Sequence, residues 1–307
     1  MRIGVDLGGT KIEVILLDKK GNEVLRKRCK TPQGHYEDTI KAIVELILAV
    51  EKEGNVKSPA SVGIGIPGAV SPKTGLIQNS NSLCLIGKAL DEDLKAILKR
   101  PIRLENDANC FVLSEATDGA GENKPIVFGV ILGTGVGGGI TVNSKLVVGP
   151  DAITGEWGHN PLPRFLPCDV NDGVPRDCYC GKKGCIETYL SGPSFSYHHE
   201  LMFSEKRLAA EIYEKMLEGD QSCKKSYDIY VDRLARALSG VINFLNPHVI
   251  VFGGGVSNMN QLYTDVPKAW EKYVFVEHPL VELKKAKWGD SSGVRGAAWL
   301  WPEGESI

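Results

Sequence analysis

Residues 3–17 read IGVDLGGTKIEVILL: an apolar strand, a glycine turn that carries Asp6 and Lys11, and a second apolar strand. Apolar runs on either side of a short turn predict a β-hairpin from Ile3–Val5 and Ile12–Leu17. Two more glycine turns follow apolar runs, at 131–139 (ILGTGVGGG) and 249–258 (VIVFGGGVSN). Without a Cβ, a backbone can approach phosphate oxygens closely, and successive N–H groups can face an anion. A tight reversal explains one such turn equally well. Three in one chain, Gly4–Lys11, Gly133–Gly139 and Gly253–Gly255, point to phosphate.

Working outward, apolar residues at helical spacing predict a helix over Glu37–Glu53. Val62–Ile66 reads as a strand stopped by Pro67-Gly68. Asp91–Lys99 reads as a helix and Ile102–Leu104 as a strand, followed by a helix from near Asp107 to about Ala116. Ile126–Leu132 and Gly139–Val142 are strands, and the Pro- and Asp-rich stretch Asn160–Asp177 is a long loop. Helical character follows Glu205, with Asp228–Leu245 the longest candidate. His248–Phe252 is then a strand, a helix starts near Asn260, and Val294–Trp301 closes the chain as a helix. No internal repeat is visible. Strands and helices alternate, so the class is α/β.

At 307 residues the chain has room for two cores. Its 42% hydrophobic and 24% charged residues are ordinary for a globular protein. A net charge of −2 gives no broad basic surface, so neither nucleic acid nor membrane is expected as a partner. No apolar run is long enough to span a bilayer. The N-terminus passes into glycines too soon for a signal peptide. A cytoplasmic location and reduced thiols are therefore expected. No G-x-x-x-x-G-K-[ST] occurs. Gly133, Gly135 and Gly138 satisfy G-x-G-x-x-G, but a strand follows where a dinucleotide turn needs a helix.

Several polar groups are candidates for chemistry. Asp6, at the end of the first strand, is placed to hold Mg²⁺ through water; Lys11 is either a phosphate contact or a solvated turn residue. Leu104-Glu105-Asn106-Asp107-Ala108-Asn109 sets two carboxylates and two amides between a strand and a helix. Asn106 or Asp107 can cap that helix, or Asp107 can accept a hydroxyl proton during phosphoryl transfer. Gly155-Glu156-Trp157-Gly158-His159 is a second polar cluster, and Glu187 follows a cysteine group. Carboxylates, amides and imidazoles are suited to sugar hydroxyls. Cys178, Cys180 and Cys185 lie within eight residues, with glycines that let the chain fold around an ion. Zinc takes four N/S ligands, and His159 is the natural fourth, which makes a closed structural site. Cys29, Cys84, Cys110, Cys168 and Cys223 show no ligand spacing.

Taken together, GVDLGGTK, GIGIPGAV, LENDANC, ILGTGVGGG, TGEWGH, CYCGKKGCIE, VIVFGGGVSN and GDSSGVRGAAWL resemble the ROK family of bacterial sugar kinases and sugar-responsive repressors, from Ile3 to about Pro302. The resemblance implies an actin-like ATPase (ribonuclease H-like) fold, with two α/β domains around a cleft. It assigns 1–117 to a small domain completed by a C-terminal helix over 291–307. Residues 118–290 become a large domain with a zinc loop. It casts Asp107 as catalytic base and sets ATP against Gly4, Asp6, Gly8, Gly9, Thr10, Lys11, Gly133, Thr134, Gly135, Gly137 and Gly138, with adenosine near Gly254 and Gly255. It assigns the sugar to Gly68, Asn81, Asn106, Asp107, Glu156, His159 and Glu187, and zinc to His159, Cys178, Cys180 and Cys185. His159 would offer its second ring nitrogen to a sugar hydroxyl.

The implied partners are ATP with Mg²⁺, a hexose and a second copy of the chain. NSNSLCLIG, GEWGHNPLP and GDSSGVRGAAWLWP resemble the fructokinase branch that also takes mannose. Fructose is therefore the expected acceptor, with glucose or N-acetylglucosamine as alternatives. A repressor is disfavoured, because the first phosphate strand starts at Ile3 and leaves no room for a preceding helix-turn-helix.

Overall fold

The structure, a computed structural model, describes residues 1–169, 174–302 and 305. It divides into two compact units, 1–123 with 144–154 and 290–307, and 124–143 with 155–289. The boundaries expected from sequence put 118–123 and 144–154 in the second part; by their contacts both stretches belong to the first.

In the first unit, strands β1 (Arg2–Leu7), β2 (Lys11–Leu17), β3 (Glu23–Lys30), β4 (Ser61–Ile66) and β7 (Ile102–Asn106) form one sheet in the order β3-β2-β1-β4-β7. The short strands β5 (Ala69–Val70) and β6 (Ile77–Gln78) pair beside it. β1 and β2 form the hairpin read from sequence, whereas β1, β4 and β7 run parallel. Strand β3 was not foreseen. Its sequence, EVLRKRCK, is charged on an exposed sheet edge, where lysine and arginine guard against edge-to-edge pairing.

One face of this sheet carries helices α1 (Tyr36–Glu53) and α2 (Leu90–Leu98). Ile40, Ile43, Ile47, Leu90 and Leu94 are buried with Ile3, Val5, Val62 and Ile64. The other face takes α3 (Asp107–Asp118) and α9 (Ser292–Trp299). α9 is shorter than the helix expected over 291–307; Glu303, Gly304, Ser306 and Ile307 lie outside the described residues. These layers touch through bare backbone. A Cβ on Gly63 would fall 1.9 Å from the Ala297 carbonyl oxygen, and one on Gly296 1.6 Å from that of Cys110.

In the second unit, β8 (Ile126–Leu132), β9 (Val136–Val142), β11 (Val249–Gly253) and β12 (Glu282–Lys285) follow the order β9-β8-β11-β12; the two-residue strand β10 (Lys145–Leu146) follows β9 in sequence, in the stretch that belongs to the first unit. An antiparallel hairpin is again extended by parallel strands. The first unit's topology therefore recurs with no recurrence of residues. Helices α4 (Glu187–Leu190), α5 (Gly192–Phe203), α6 (Ala209–Leu217), α7 (Gln221–Leu245) and α8 (Leu262–Trp270) complete the unit. α7 starts two turns earlier than its apolar pattern suggests. Its cap Asp220 accepts hydrogen bonds from Ser222 N (2.9 Å) and Cys223 N (3.0 Å). No helix among the described residues is long and apolar enough to cross a membrane.

Backbone contact at Gly296 predicts a large penalty for one methyl group. Gly296→Ala should cost about 3 kcal/mol in urea unfolding, the upper end of the usual overpacking range. Gly240, exposed in α7 with nothing within 4 Å of a built Cβ, is the opposite case. Gly240→Ala should gain up to about 1 kcal/mol from helix propensity.

Candidate active site

In the first unit, parallel β1, β4 and β7 bring Asp6, Pro67-Gly68 and Asn106-Asp107 to one edge of the sheet. The two readings of the Asn-Asp pair separate here. Asn106 is the cap: its Oδ1 accepts from Ala108 N (2.9 Å) and Asn109 N (3.3 Å). Asp107 is the first residue of α3 and is exposed. It accepts from Ala108 N at 2.8 Å, and the helix N-terminus favours its anion. Asn106 Nδ2 donates to Gly68 O (3.0 Å), and Glu105 Oε1 accepts from Asn106 N (2.8 Å) and Asn109 Nδ2 (3.0 Å). The Asn106-Asp107 turn is thus braced by its neighbours, Glu105 included, which sequence reading left without a role.

Asp6 lies over the start of α9, where a Cβ on Gly293 would be 3.8 Å from its carboxylate. Burial, followed by the Asp107 charge, pushes its carboxyl up to about 6, while Lys11 pulls the other way. Two carboxylates brought together in this way are relieved by a cation, so the donor set fits Mg²⁺. Lys11 Nζ is held at 3.0 Å by Glu13, which also binds Arg26 at 2.6 Å. Gly8 N donates to Lys11 O (3.0 Å), which closes the turn, with Gly9 and Thr10 at its tip. Gly4 corrects the phosphate reading. It is buried in mid-strand, where a Cβ would lie 2.0 Å from Val294 O, so it serves packing. Asn81 is exposed and lines a cavity with Gly9 and Thr10.

In the second unit, three backbone segments meet at Gly133. Gly192 N, at the start of α5, donates to Gly133 O (2.8 Å). A Cβ on Gly254 (φ 78°) would lie 2.5 Å from Leu132 O and 3.0 Å from Gly133 N. Gly255 has open space beside it, and Thr134 is exposed. Gly137 and Gly138 correct the turn reading. Both lie inside β9, paired with Ile131 and Val130. A Cβ on Gly138 would meet the Trp157 ring at 2.7 Å. The strand thus begins at Val136, and only Gly133–Gly135 forms the turn.

Glu187 braces that turn: its Oε2 accepts from Val136 N (2.9 Å) and would lie 2.7 Å from a Cβ on Gly135. Glu156 is exposed beside buried Trp157, and together with Glu187 it acts on Tyr179. Burial, then Glu187 and Glu156, pushes the Tyr179 hydroxyl up to about 12.

His159 Nδ1 and the sulfurs of Cys178, Cys180 and Cys185 all lie within 4.8 Å of one another. Cys178 Sγ is 3.6 Å from Nδ1, and Cys180 Sγ is 3.7 Å from Cys185 Sγ. A tetrahedral zinc with Zn–S of about 2.3 Å and Zn–N of about 2.0 Å has edges of about 3.5–3.8 Å. The donor set and spacing fit that ion. The free-nitrogen expectation for His159 is altered: Nε2 is 3.0 Å from Tyr179 Oη, a residue that sequence reading passed over although it lies between two ligands. The loop over 160–177 is pinned in its described part. Asp169 is buried between Arg233 (2.7 Å) and Arg236 (2.9 Å), and Leu162 N donates to Gly184 O (2.8 Å); residues 170–173 lie outside the described residues.

The ROK family model matches residues 2–304. The chain is 39% identical over 301 residues to the N-acetyl-D-glucosamine kinase of Pectobacterium carotovorum, covering 98% of each. It superposes on the crystal structure of the ROK hexokinase of Thermus thermophilus with a TM-score of 0.84 and 26% identity, covering 97% of this chain and 96% of that one. For the ROK glucokinase of Streptomyces griseus in complex with glucose and AMPPNP, the TM-score is 0.77 at 26% identity, covering 97% of this chain and 98% of that one. This chain belongs to the ROK family and has its actin-like ATPase fold, built from two α/β units. The Pectobacterium relative does not bear the fructokinase name expected from residues 79–87 and 289–302.

Asp6 gives a pH test. A carboxyl whose pKa is raised on folding stabilises most below its unfolded value and loses that contribution as pH rises through its folded value. Asp6 should titrate near 6 by ¹³C NMR, with stability declining over about pH 4–6 from this group. Asp107→Asn removes the like charge and should move the midpoint downward; an unmoved midpoint contradicts the coupling.

Proposed function

We propose that this protein is an ATP-dependent sugar kinase whose favoured acceptor is N-acetyl-D-glucosamine. Relatives of 38–40% identity over 98% of the chain carry that name, and full-length identity outweighs the short segments that favoured fructose. The observation that carries the kinase reading is the division of labour at the β7–α3 junction. Asn106 caps the helix, and Asp107, the first residue of α3, holds an exposed carboxylate that is the proposed base.

In this reading a sugar hydroxyl attacks the γ-phosphorus of ATP. The bond to the bridging oxygen breaks, ADP leaves, and Asp107 takes the hydroxyl proton. An ordinary carboxylate suffices, because the hydroxyl becomes acidic only as its bond to phosphorus forms. Mg²⁺, when bound, neutralises developing phosphate charge. Asp6 would hold it, and Gly8–Thr10, Gly133–Gly135 and Gly254-Gly255 would offer backbone N–H groups to the nucleotide. Asn106, Glu156 and Glu187 orient sugar hydroxyls. Zinc is the proposed ion of His159, Cys178, Cys180 and Cys185. With four protein ligands it would leave no position for chemistry and would hold together the segments that bear His159 and the three cysteines.

A coupled ADP-release assay with Mg-ATP over a hexose panel tests the acceptor. N-Acetylglucosamine should give the highest kcat/KM, above fructose, mannose and glucose, and Asp107→Asn should lower kcat at least about 10³-fold. An active protein indifferent to that substitution has another base.

Metal analysis of protein purified without chelator should find about one zinc per chain. Cys185→Ala should abolish it and lower the unfolding temperature, because metal binding is coupled to folding. Active protein without zinc would refute the assignment.

A further inference from the structure

Lys11, Glu13, Arg26 and Glu23 form a chain of ion pairs that leads away from the first glycine turn. Lys11 and Glu13 are two apart in β2 and so point to the same face of the sheet. Lys11 Nζ lies 3.0 Å from Glu13 Oε2, and Arg26, on β3, donates from Nη1 to Glu13 Oε1 at 2.6 Å. The same Nη1 donates to Ser291 Oγ at 2.7 Å. The remaining guanidinium nitrogens grip Glu23, from Nε at 3.0 Å and from Nη2 at 2.6 Å. Arg26 is thus fixed by three residues. Lys11, by contrast, has Glu13 as the one side-chain partner of its ammonium among the described residues.

Exposure divides the Lys11–Glu13 pair. The lysine side chain is 44% exposed, the glutamate side chain 6%. An open ammonium can leave for water or for another anion, but a buried carboxylate deserted by its only cation is heavily penalised. Arg26 removes that penalty. Glu13 keeps a charged, hydrogen-bonded partner if Lys11 goes, and Arg26 stays anchored by Glu23 and Ser291. Burial pushes the Glu13 carboxyl up, but Lys11 and then Arg26 outweigh it and hold the group below the ordinary range.

Asp6 links this chain of charges to the site. It is the cross-strand partner of Glu13, which sets both carboxylates on one face of the hairpin. Glu13 adds to the charge that disfavours the Asp6 anion, and Lys11 opposes it. Lys11 therefore offsets two carboxylates where it stands. It is also the residue whose carbonyl closes the turn, by accepting from Gly8 N at 3.0 Å. Phosphates at that turn would bring several negative charges within reach of a compact ammonium on a flexible four-carbon stem.

Resting on the kinase reading above, we propose that Glu13 is a berth for Lys11, that Arg26 is the counter-charge that lets the lysine leave it, and that Lys11 passes from Glu13 to the phosphates of the nucleotide when ATP binds. Lys11 is then the binding residue, and Glu13 and Arg26 are positioning residues. The test measures Kd for MgATP and for adenosine, which has no phosphate, by titration calorimetry on the intact protein. The ratio of the two is taken within each variant, so partial misfolding cancels. Arg26→Gln leaves Glu13 with Lys11 alone and should weaken MgATP relative to adenosine at least about five-fold. Adding Glu13→Gln removes the carboxylate that retains the lysine and should recover at least about three-fold of that loss. In a Lys11→Met background, Arg26→Gln should add less than about two-fold. A smaller loss in Arg26→Gln, a double variant that does not recover, or a larger further loss on Lys11→Met overturns the proposal while leaving the kinase reading intact. A purely structural Glu13–Arg26 pair gives the reverse order, with the double variant no tighter than the single. A wild type that binds no MgATP refutes the kinase reading instead.

Discussion

Parallel pairing forces neighbouring strands to end on the same side of a sheet, and the chemistry of this molecule follows from that constraint. In the first unit β1, β4 and β7 deliver Asp6, Gly68 and Asn106-Asp107 to one edge. In the second, β8 and β11 end at Gly133 and Gly254, whose backbones touch. The antiparallel partner in each hairpin returns the chain tightly, and that tightness makes the glycine turn necessary. Two unrelated stretches of sequence therefore produce the same device: a strand, a glycine reversal, and parallel neighbours that add functional groups at its mouth.

Collecting carboxylates at a sheet edge has an electrostatic cost. Asp6 is pushed up towards neutrality by burial and by Asp107, whereas Asp107 is exposed at a helix N-terminus that favours its anion. The two acids are thereby set apart. One is recessed and calls for a cation; the other is accessible and able to accept a proton. Environment differentiates them, as it does for any pair of like groups given different tasks.

The parts of this arrangement legible in sequence were those decided locally. The hairpin, the strand stopped by Pro67-Gly68, and the cysteine spacing each depend on neighbours within a few residues. Other features depended on distant partners. Gly137 and Gly138 look like turn residues until Trp157 is seen lying on them, and Gly4 looks like part of a phosphate loop until α9 is in place. The first turns of α7, QSCKKSYD, are too polar for a periodic pattern, although Asp220 before them was a readable cap. Duplication of the topology left no trace in composition, because strand pairing constrains polarity and size far more loosely than identity. Asn106 and Asp107 are the clearest case: both residue types cap helices, and only backbone geometry determines which one does.

The metal loop extends the same division of labour to hydrogen-bond polarity. An ion at His159 Nδ1, as proposed, takes that nitrogen's lone pair and leaves the ring proton on Nε2. Nε2 then donates to Tyr179 Oη, 3.0 Å away, and the tyrosine keeps its own proton to give onward. Its removal from solvent, then the Glu187 and Glu156 charges, push that hydroxyl away from ionisation. The loop thus presents a donor hydroxyl close to two acceptor carboxylates. A sugar hydroxyl needs both, since each can accept and donate at once. The proposed ion would therefore act on sugar recognition through the direction in which one imidazole points its proton.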